Sequence, residues 1–377
     1  MKILVLCYEY PPIGGGGGRV AQGLAEKLVE RGHQVRVITA GLGWKSKWQS
    51  LYGVDVYRAG SGRRRPDACT VPEMALYLLT GFLPALFQSL LWKPDVIHAH
   101  FAMPTGVLAW AVGTLTRRPY VITAHLGDVP GGVPEQTDSL FRLVGPLARC
   151  VWRSAAGATA VSSFVRDLAV QAYRRPVALI RNGVDLTDAS PPPTRVQRER
   201  HFVFLGRFNA QKNPGFLLPV FAALRELPWR LTMIGDGPLM PEFRAALQQQ
   251  EMEDRVHCTG WLHATEVDDI LRQADVLCMP SLSEGMPVAA VEALRRGLAI
   301  VASDIPGVRD VVKDGANGYL APVGDQKAFI EKLRILCTND QTLLAMRCDS
   351  CEKARDFEIS SIVSQYEGEL EKASRPL

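Results

Sequence analysis

Residues 2–31, KILVLCYEYPPIGGGGGRVAQGLAEKLVER, join a short apolar run to a helical pattern through five consecutive glycines. The run Ile3–Cys7 predicts a buried strand, and the spacing of apolar residues predicts a helix over Arg19–Arg31. Glycines here let the backbone approach a ligand, and a helix start presents unpaired N–H groups to an anion. A loop that merely turns the chain is the alternative, although five glycines exceed what a turn requires.

Short β-branched runs and longer helical patterns then alternate along the chain. The first series of strands is predicted at Ile3–Cys7, Gln34–Thr39, Val54–Tyr57, Asp95–Ala99, Tyr120–Thr123, Ala158–Val161 and Val177–Ile180. The second series is predicted at Phe202–Leu205, Leu231–Ile234, Arg255–Cys258, Val276–Met279, Ala299–Ala302 and Gly318–Leu320. Strands separated by helices form parallel βαβ units, so we expect an α/β protein of two facing Rossmann-like domains with an interdomain cleft.

The boundary between the two series is marked by residues 186–200, which contain the SPPPT segment and several charges. Such a composition is typical of a linker. We therefore expect an N-terminal domain over residues 1–185 and a C-terminal domain over residues 201–358. We also expect a final helix over residues 359–377 that returns to the first domain.

Composition excludes several classes of protein. With 377 residues, 47% hydrophobic and 22% charged, the chain is neither disordered nor a small disulfide scaffold. A net charge of +4 argues against a dedicated nucleic-acid binder, and the positive excess lies in the first half. The eight cysteines are scattered, and the N-terminus reads as a strand rather than a signal peptide. We expect a cytoplasmic protein.

One segment, Met74–Trp92, is 19 residues long and uncharged, which is enough to span a membrane. A span would divide one sheet between two sides of a bilayer, so we reject it. A kinked pair of helices packed on the sheet is the first interpretation. The second is an apolar surface at an anionic membrane interface, supported by the arginines at 63–65 just before it.

The sequence raises two cofactor hypotheses, a dinucleotide and a metal ion. A dinucleotide site needs a carboxylate at the end of the second strand, but none lies between Glu30 and Asp55, which counts against an NAD enzyme. His98 and His100 share one face of a strand, which suggests a metal site with His125 or Asp128 as the third ligand. A hydrogen-bonded edge of the cleft explains the same pattern, and we expect no metal.

Three polar residues follow predicted strands, where the carboxyl ends of a parallel sheet bind ligands. His125 lies in residues 123–128, TAHLGD, and is placed for a cleft rather than a core. Arg207 and Lys212 lie on a strand-to-helix loop, where two cations suit a diphosphate. A solvated basic loop is the alternative for that pair.

Residues 284–292, EGMPVAAVE, place two glutamates around the start of a helix. Pro287 suits the first turn, which puts Glu284 in the preceding loop and Glu292 inside the helix. Carboxylates accept hydrogen bonds from sugar or ribose hydroxyls, while the start of a helix faces phosphate.

At these residues the chain resembles a retaining GT-B glycosyltransferase of family 4, over essentially its whole length. The motifs that carry the resemblance are the glycines at 14–18, TAHLGD at 123–128, IRNGVD at 180–185, Gly206-Arg207 with Lys212, IGDGP at 234–238, and the Glu284 and Glu292 pair. Two departures are Met286-Pro287 where many relatives have Phe-Gly, and Leu126 between His125 and Gly127.

The resemblance implies a role for each motif. Arg207 and Lys212 bind the donor diphosphate, Glu284 contacts the sugar hydroxyls, Glu292 holds the ribose, and His125 approaches the donor sugar. The other implied donor-binding residues are Gly16, Gly17, Gly206, Gly237, Gly285, Met286 and Pro287. The N-terminal domain takes the acceptor and the C-terminal domain the nucleotide sugar. No cofactor and no metal are expected, because the nucleotide-diphosphate sugar is a co-substrate.

The expected activity is transfer of a hexose or N-acetylhexosamine from a UDP-sugar or GDP-mannose to a glycan or lipid-linked acceptor, with retention of configuration. Bacterial surface polysaccharide or glycolipid biosynthesis is the expected setting, with peripheral contact to the inner face of an anionic membrane and none with nucleic acid. A sugar-nucleotide epimerase and a catalytically idle sugar-nucleotide-binding subunit are the alternatives, and a dinucleotide oxidoreductase comes last.

Overall fold

The computed structural model describes residues 1–66 and 68–375, apart from the side chains of residues 134–140. The chain divides into two compact units. The first unit consists of residues 1–183 and the segment that begins at Ile359, and the second unit of residues 184–358. Residues 186–200, expected to be a linker, are grouped with the second unit.

The first unit is built on a sheet of eight strands within the described residues. In chain order the strands are β1 Lys2–Cys7, β2 Gln34–Leu42, β3 Lys47–Leu51, β4 Val54–Arg63, β5 Val96–His100, β6 Tyr120–Ala124, β7 Gly157–Ala160 and β8 Ala178–Leu179. Their order across the sheet is β3-β4-β2-β1-β5-β6-β7-β8, with β3 antiparallel to β4 and the other pairs parallel.

Strand β3 was absent from the predicted series. It is an exposed edge strand with a polar sequence, KWQSL, so it lacks the apolar alternation that marks a buried strand. Its Trp48 ring packs on Tyr57 of β4, with ring centroids 5.2 Å apart.

The helices of the first unit cover both faces of this sheet, as a mainly parallel sheet requires. They are α1 Gly16–Glu30, α2 Val71–Phe87, α3 Thr105–Thr116, α4 Pro134–Ser154, α5 Ser163–Tyr173 and the C-terminal helix Ile359–Ser374. Helix α1 begins at Gly16 rather than at the predicted Arg19. The first turn accepts glycines because side chains would clash there: a Cβ on Gly18 would lie 2.8 Å from the Glu9 carbonyl oxygen.

The apolar segment predicted as a kinked pair of helices is one helix, α2, followed by a π-helical turn at Gln88–Trp92. Thr70 and Glu73 form a capping box at its start, and the helix continues through Pro84. By length and composition alone, Val71–Trp92 is the one helix among the described residues that is suited to cross a membrane. Only 22% of its most apolar 18-residue stretch is buried.

The second unit contains a sheet of six parallel strands within the described residues. These are β9 Arg200–Leu205, β10 Trp229–Ile234, β11 Val256–Gly260, β12 Val276–Met279, β13 Ala299–Ser303 and β14 Gly318–Ala321, in the order β11-β10-β9-β12-β13-β14. The helices are α6 Leu217–Ala222, α7 Met240–Gln249, α8 Ala264–Gln273, α9 Val288–Arg295, α10 Pro306–Arg309, α11 Gln326–Thr338 and α12 Asp340–Lys353. The C-terminal helix Ile359–Ser374 is accordingly α13.

Aromatic side chains dominate the core of the second unit. Phe202 and Phe204 of β9 are buried against Phe221 and Phe208 respectively, with ring centroids 5.1 and 5.6 Å apart. Phe208 lies just after β9, so the same packing that closes the core also fixes the start of the loop that follows this strand.

Candidate functional site

In the second unit, Lys212 and Glu284 come together although they are 72 residues apart in sequence. The ammonium Nζ of Lys212 donates to Oε1 of Glu284 over 2.5 Å. The Ser281 hydroxyl donates to the same oxygen over 2.7 Å. Glu284 is buried and Lys212 is partly buried. The two motifs that the sequence suggested separately therefore form one polar cluster.

The loops that carry this cluster are joined through backbone groups. Leu282 donates its N–H to the Gln211 carbonyl over 2.8 Å, and the Gln211 amide donates to the Ser283 carbonyl over 2.9 Å. The Lys212 N–H in turn donates to the Asn209 side chain over 3.0 Å. The backbone at Lys212 is thus held by hydrogen bonds that do not involve the charge of its side chain.

Glycines hold the loop containing Arg207 against its neighbour. A Cβ on Gly235 would lie 2.0 Å from the Gly206 carbonyl oxygen, and one on Gly237 would lie 2.5 Å from that of Phe208. The φ angle of Gly235 is +129°, a conformation that other residues rarely adopt. Gly237, expected to bind the donor, therefore has a packing role as well, and its contact with a ligand stays a prediction.

The loop after Glu284 leads into α9. Pro287 was expected in the first helical turn, but it is the N-cap residue that precedes Val288, because its backbone is extended rather than helical. Met286 is buried, and Glu292 lies inside the helix with one oxygen 3.3 Å from Arg295. Gly285 is packed against Gly307: a Cβ on Gly307 would lie 2.6 Å from the Gly285 carbonyl oxygen.

Sequence reasoning missed Gly307 and Ser281. Gly307 follows Pro306 at the start of α10 and leaves room for the Glu284 backbone, since a Cβ there would lie 1.9 Å from the Glu284 carbonyl oxygen. A Pro-Gly pair after a strand was the available signal, but it also marks ordinary turns. Ser281 had a weaker signal, a hydroxyl three residues before a motif carboxylate.

In the first unit, the glycine loop is anchored by Glu9. Its Oε2 accepts the N–H of Gly15 over 3.0 Å, and its Oε1 lies 3.6 Å from a guanidinium nitrogen of buried Arg63. The Gly14 N–H donates to the Pro66 carbonyl over 2.7 Å. The loop is therefore held by specific contacts before α1 begins at Gly16.

Gly17 lies beside His125. A Cβ on Gly17 would be 2.6 Å from the Phe101 ring and 3.5 Å from the His125 ring. These two rings stack, with centroids 4.4 Å apart and planes 28° apart. The structure thus brings together Gly17 and His125, which the sequence predicted from separate motifs, and adds Phe101, whose only signal was its place at the end of a strand.

His125 is held by its backbone rather than by its ring. Its N–H donates to Oδ2 of Asp128 over 2.8 Å, and the same oxygen accepts the N–H of Ala102 over 3.0 Å. Within the described residues, Nε2 of His125 has no hydrogen-bond partner. Burial lowers the pKa of His125 to about 4, so the ring is neutral near pH 7.

His98 and His100 lie deeper in the first unit. Nε2 of His98 is 2.8 Å from the Thr123 hydroxyl, which is 2.8 Å from the Thr159 hydroxyl. Burial lowers the pKa of His98 to about 3, and burial likewise lowers the pKa of His100. In the part of the chain that the structure describes, no three His, Cys, Asp or Glu side chains are grouped to hold a metal ion.

Comparison with known families identifies both units. The model described as Glycosyltransferase Family 4 matches residues 14–188, and the model described as Glycosyl transferases group 1 matches residues 199–339. The chain belongs to glycosyltransferase family 4. Together the two matches span the glycine loop, the His125 region and the Lys212–Glu284 cluster.

Relatives that align over nearly the whole chain are also glycosyltransferases by name or group. The family 4 chain is 27% identical over 378 residues to phosphatidyl-myo-inositol mannosyltransferase of Mycobacterium leprae, which covers 97% of this chain and 95% of that protein. It is 24% identical over 393 residues to N-acetyl-alpha-D-glucosaminyl L-malate synthase of Bacillus anthracis, covering 97% and 96%.

Solved structures show the GT-B fold. Sucrose-phosphate synthase of Thermosynechococcus elongatus superposes with a TM-score of 0.79 at 18% identity, covering 98% of each chain. HepE of Anabaena, solved with UDP and glucose, superposes with a TM-score of 0.78 at 18% identity, covering 98% of this chain and 99% of that one. This family 4 glycosyltransferase therefore has two Rossmann-like units with mainly parallel sheets.

We expect Gly17→Ala to destabilise the first unit by about 1–3 kcal/mol, because the new methyl group must displace the stacked Phe101 ring. Gly23→Ala in the same helix is the control, since nothing lies within 4 Å of its Cβ position. That change should stabilise by up to about 1 kcal/mol through helix propensity. Urea unfolding of the two variants measures the difference, and equal stabilities would contradict the packing described here.

Acid should destabilise the first unit through its buried histidines. The folded pKa of each ring lies below 6.5, so the unfolded chain binds more protons as the pH falls. Below about pH 6.5 the unfolding free energy should decline by up to about 1.4 kcal/mol per pH unit per histidine. Asp128 offsets part of this decline, because burial raises its pKa and the folded chain takes up a proton there as the pH falls. Urea titrations from about pH 7.5 to about pH 5.5 measure this slope.

His125→Gln should reduce the slope of the unfolding free energy against pH by up to about 1.4 kcal/mol per pH unit. His257→Gln, at an exposed position of the second unit, should leave the slope unchanged. Equal slopes for the native protein and the His125→Gln variant would show that the His125 ring is not neutral in the folded protein.

Proposed function

We propose that the protein transfers a hexose or N-acetylhexosamine from a UDP-sugar or GDP-mannose to a glycan or lipid-linked acceptor, with retention of configuration. The observation that carries the proposal is the Lys212–Glu284–Ser281 cluster on the loops that follow β9 and β12. The relatives are a mannosyltransferase and an N-acetylglucosaminyl malate synthase by name, and HepE was solved with UDP-glucose. Bacterial surface polysaccharide or glycolipid biosynthesis is the setting that we propose.

The cations of the second unit act on the leaving group. The Lys212 ammonium has three N–H donors, and one of them is used by Glu284. The remaining donors and the Arg207 guanidinium are then assigned to the donor diphosphate, whose charge grows as the sugar departs. Glu284, held by Ser281, is assigned to the sugar hydroxyls, and Glu292 to the ribose.

The first unit supplies the sugar and acceptor side in this proposal. The neutral His125 ring, whose Nε2 has no hydrogen-bond partner among the described residues, is assigned to the donor sugar near the reacting carbon. Gly16 and Gly17 open α1, whose first N–H groups suit phosphate or a polar acceptor. No cofactor or metal enters this mechanism, because the chain's own cations and N–H groups serve the leaving diphosphate.

Retention fits a front-face substitution. The bond between the anomeric carbon and the diphosphate oxygen breaks while the acceptor oxygen bonds the same face, and the acceptor proton passes to the departing phosphate. Among the described residues of the first unit, two carboxyl groups are already engaged: Asp128 accepts two backbone N–H groups, and Glu9 accepts the N–H of Gly15 and faces Arg63. Neither is presented as a nucleophile that would form a covalent intermediate.

Lys212→Ala should lower kcat by two or more orders of magnitude, since one such cation supplies about 3 kcal/mol to the transition state. Lys327→Ala, at an exposed position of the same unit, is the charge-matched control and should retain normal turnover. The measurement is nucleoside diphosphate release from a panel of donors, with and without acceptors. Normal turnover by Lys212→Ala would remove this role, and sugar-nucleotide isomerisation without acceptor would indicate the epimerase alternative.

We also propose that the protein is cytoplasmic and works in peripheral contact with an anionic membrane, through one face of α2. The large side chains on that face and in the turn after it are exposed: Leu79, Leu83, Phe87, Leu90 and Leu91. Tyr77, Gly81 and Ala85 on the opposite face are buried against the first unit. Exposed apolar surface of this extent is typical of an interaction site.

Aromatic and basic residues flank this face. Trp44 is exposed. Its ring lies close to Leu76 of α2, as shown by Gly62, where a Cβ would be 3.1 Å from the Trp44 ring and 3.4 Å from the Leu76 side chain. Lys45 and Arg64 are also exposed. Tryptophan and cations beside an apolar helix face suit the interface of an anionic bilayer.

Leu83→Gln with Leu91→Gln should reduce co-sedimentation with phosphatidylglycerol vesicles by about tenfold or more, since each buried leucine contributes about 1.5–3 kcal/mol. Leu143→Gln with Val170→Gln alters two exposed apolar residues elsewhere in the first unit and should have little effect. A native protein that stays in the supernatant, or a control pair that releases it equally, would contradict membrane contact through α2.

A further inference from the structure

The second unit contains a cavity of about 380 Å³ at the amino ends of its strands. Its lining includes Arg230 in β10, Asp275 just before β12, and four residues before β9, namely Pro193, Thr194, Arg195 and Gln197. Because parallel strands share one direction, this edge of the sheet is opposite the edge that carries the Lys212–Glu284 pair. The cavity is therefore separate from the site assigned to the donor.

Positive charge predominates in the lining. Its charged members are Arg195, Arg230, Arg272, Arg347 and Asp275. The single carboxylate is already engaged: one oxygen of Asp275 accepts from Arg347, and the other accepts the backbone N–H of His201 over 2.9 Å. Arg347 is buried and is held in place by a second bond, from its Nε to the Gly297 carbonyl over 2.8 Å.

Of the other three guanidinium groups, one is paired with carboxylates and two are not. Arg272 pairs with Asp188 and Asp268, but both of these carboxylates also pair with Arg296. Among the residues that the structure describes, no carboxylate pairs with Arg195 or Arg230.

Arg230 instead points a nitrogen to within 3.3 Å of Nδ1 of His201. Burial, and secondly the charge of Arg230, lower the pKa of His201. The amino edge of the sheet is thus electropositive, and an anion would relieve the repulsion between these guanidinium groups.

We propose that this cavity binds a small molecule that carries a phosphate or diphosphate group, as a second anion site distinct from the donor site. A planar guanidinium group can bind two oxygens of one phosphate through two parallel N–H groups. The cavity volume is in the range of small-molecule sites. The side-chain amides of Gln197 and Gln273 also line it and suit the hydroxyl groups of such a molecule.

Pyrophosphate titrated into the Lys212→Ala protein by calorimetry tests the proposal, because that variant weakens the donor site. We expect saturable binding at constant ionic strength, and a loss of about tenfold or more in affinity when Arg195→Gln and Arg230→Gln are added. Arg198→Gln with Arg225→Gln removes the same charge at exposed positions outside the cavity and should leave the affinity unchanged.

Absence of pyrophosphate binding by the Lys212→Ala protein would overturn the proposal. An equal loss in the control pair would also overturn it, since that result reflects overall charge rather than a site. The titration involves neither turnover nor a nucleotide, so its outcome is independent of the proposed transfer reaction.

Discussion

The adjacency of β9 and β12 in a parallel sheet places the chemistry of the second unit. Val276 and Leu277 pair with Phe202 and Val203, so both strands end at the same edge and their following loops lie side by side. Lys212 and Glu284 meet there because of that register. The Leu282 N–H donates to the Gln211 carbonyl and the Gln211 side-chain amide donates to the Ser283 carbonyl, which keeps the loops together. The sheet topology brings Lys212 and Glu284 close together, and their ion pair forms as a result.

Close backbone packing imposes a second constraint on the same edge. Gly235, Gly237 and Gly307 each face a carbonyl oxygen at a distance that no Cβ allows. In the first unit, Gly17 meets the Phe101 ring in a comparable way. Glycine is needed at these positions because a side chain would have no space there.

Sequence reasoning predicted the main strands and the two-unit organisation, because apolar runs and glycine junctions are local signals. It did not find β3, whose edge position removes the apolar pattern, or the start of α1 within the glycines, which carry no apolar periodicity. It named Lys212 and Glu284 but not their contact, since that contact depends on which strands are neighbours. The pair of helices expected in this segment is a single helix, because α2 continues through Pro84 and leads directly into a π-helical turn.

The most direct test of the account is thermal unfolding with UDP, GDP, ADP and NAD, each at millimolar concentration. A ligand at about 100 times its dissociation constant adds about 2.7 kcal/mol to stability. The account predicts a selective upward shift with one nucleoside diphosphate in the native protein and its loss in Lys212→Ala. A shift with NAD alone, or a nucleotide shift that persists unchanged in Lys212→Ala, would contradict it.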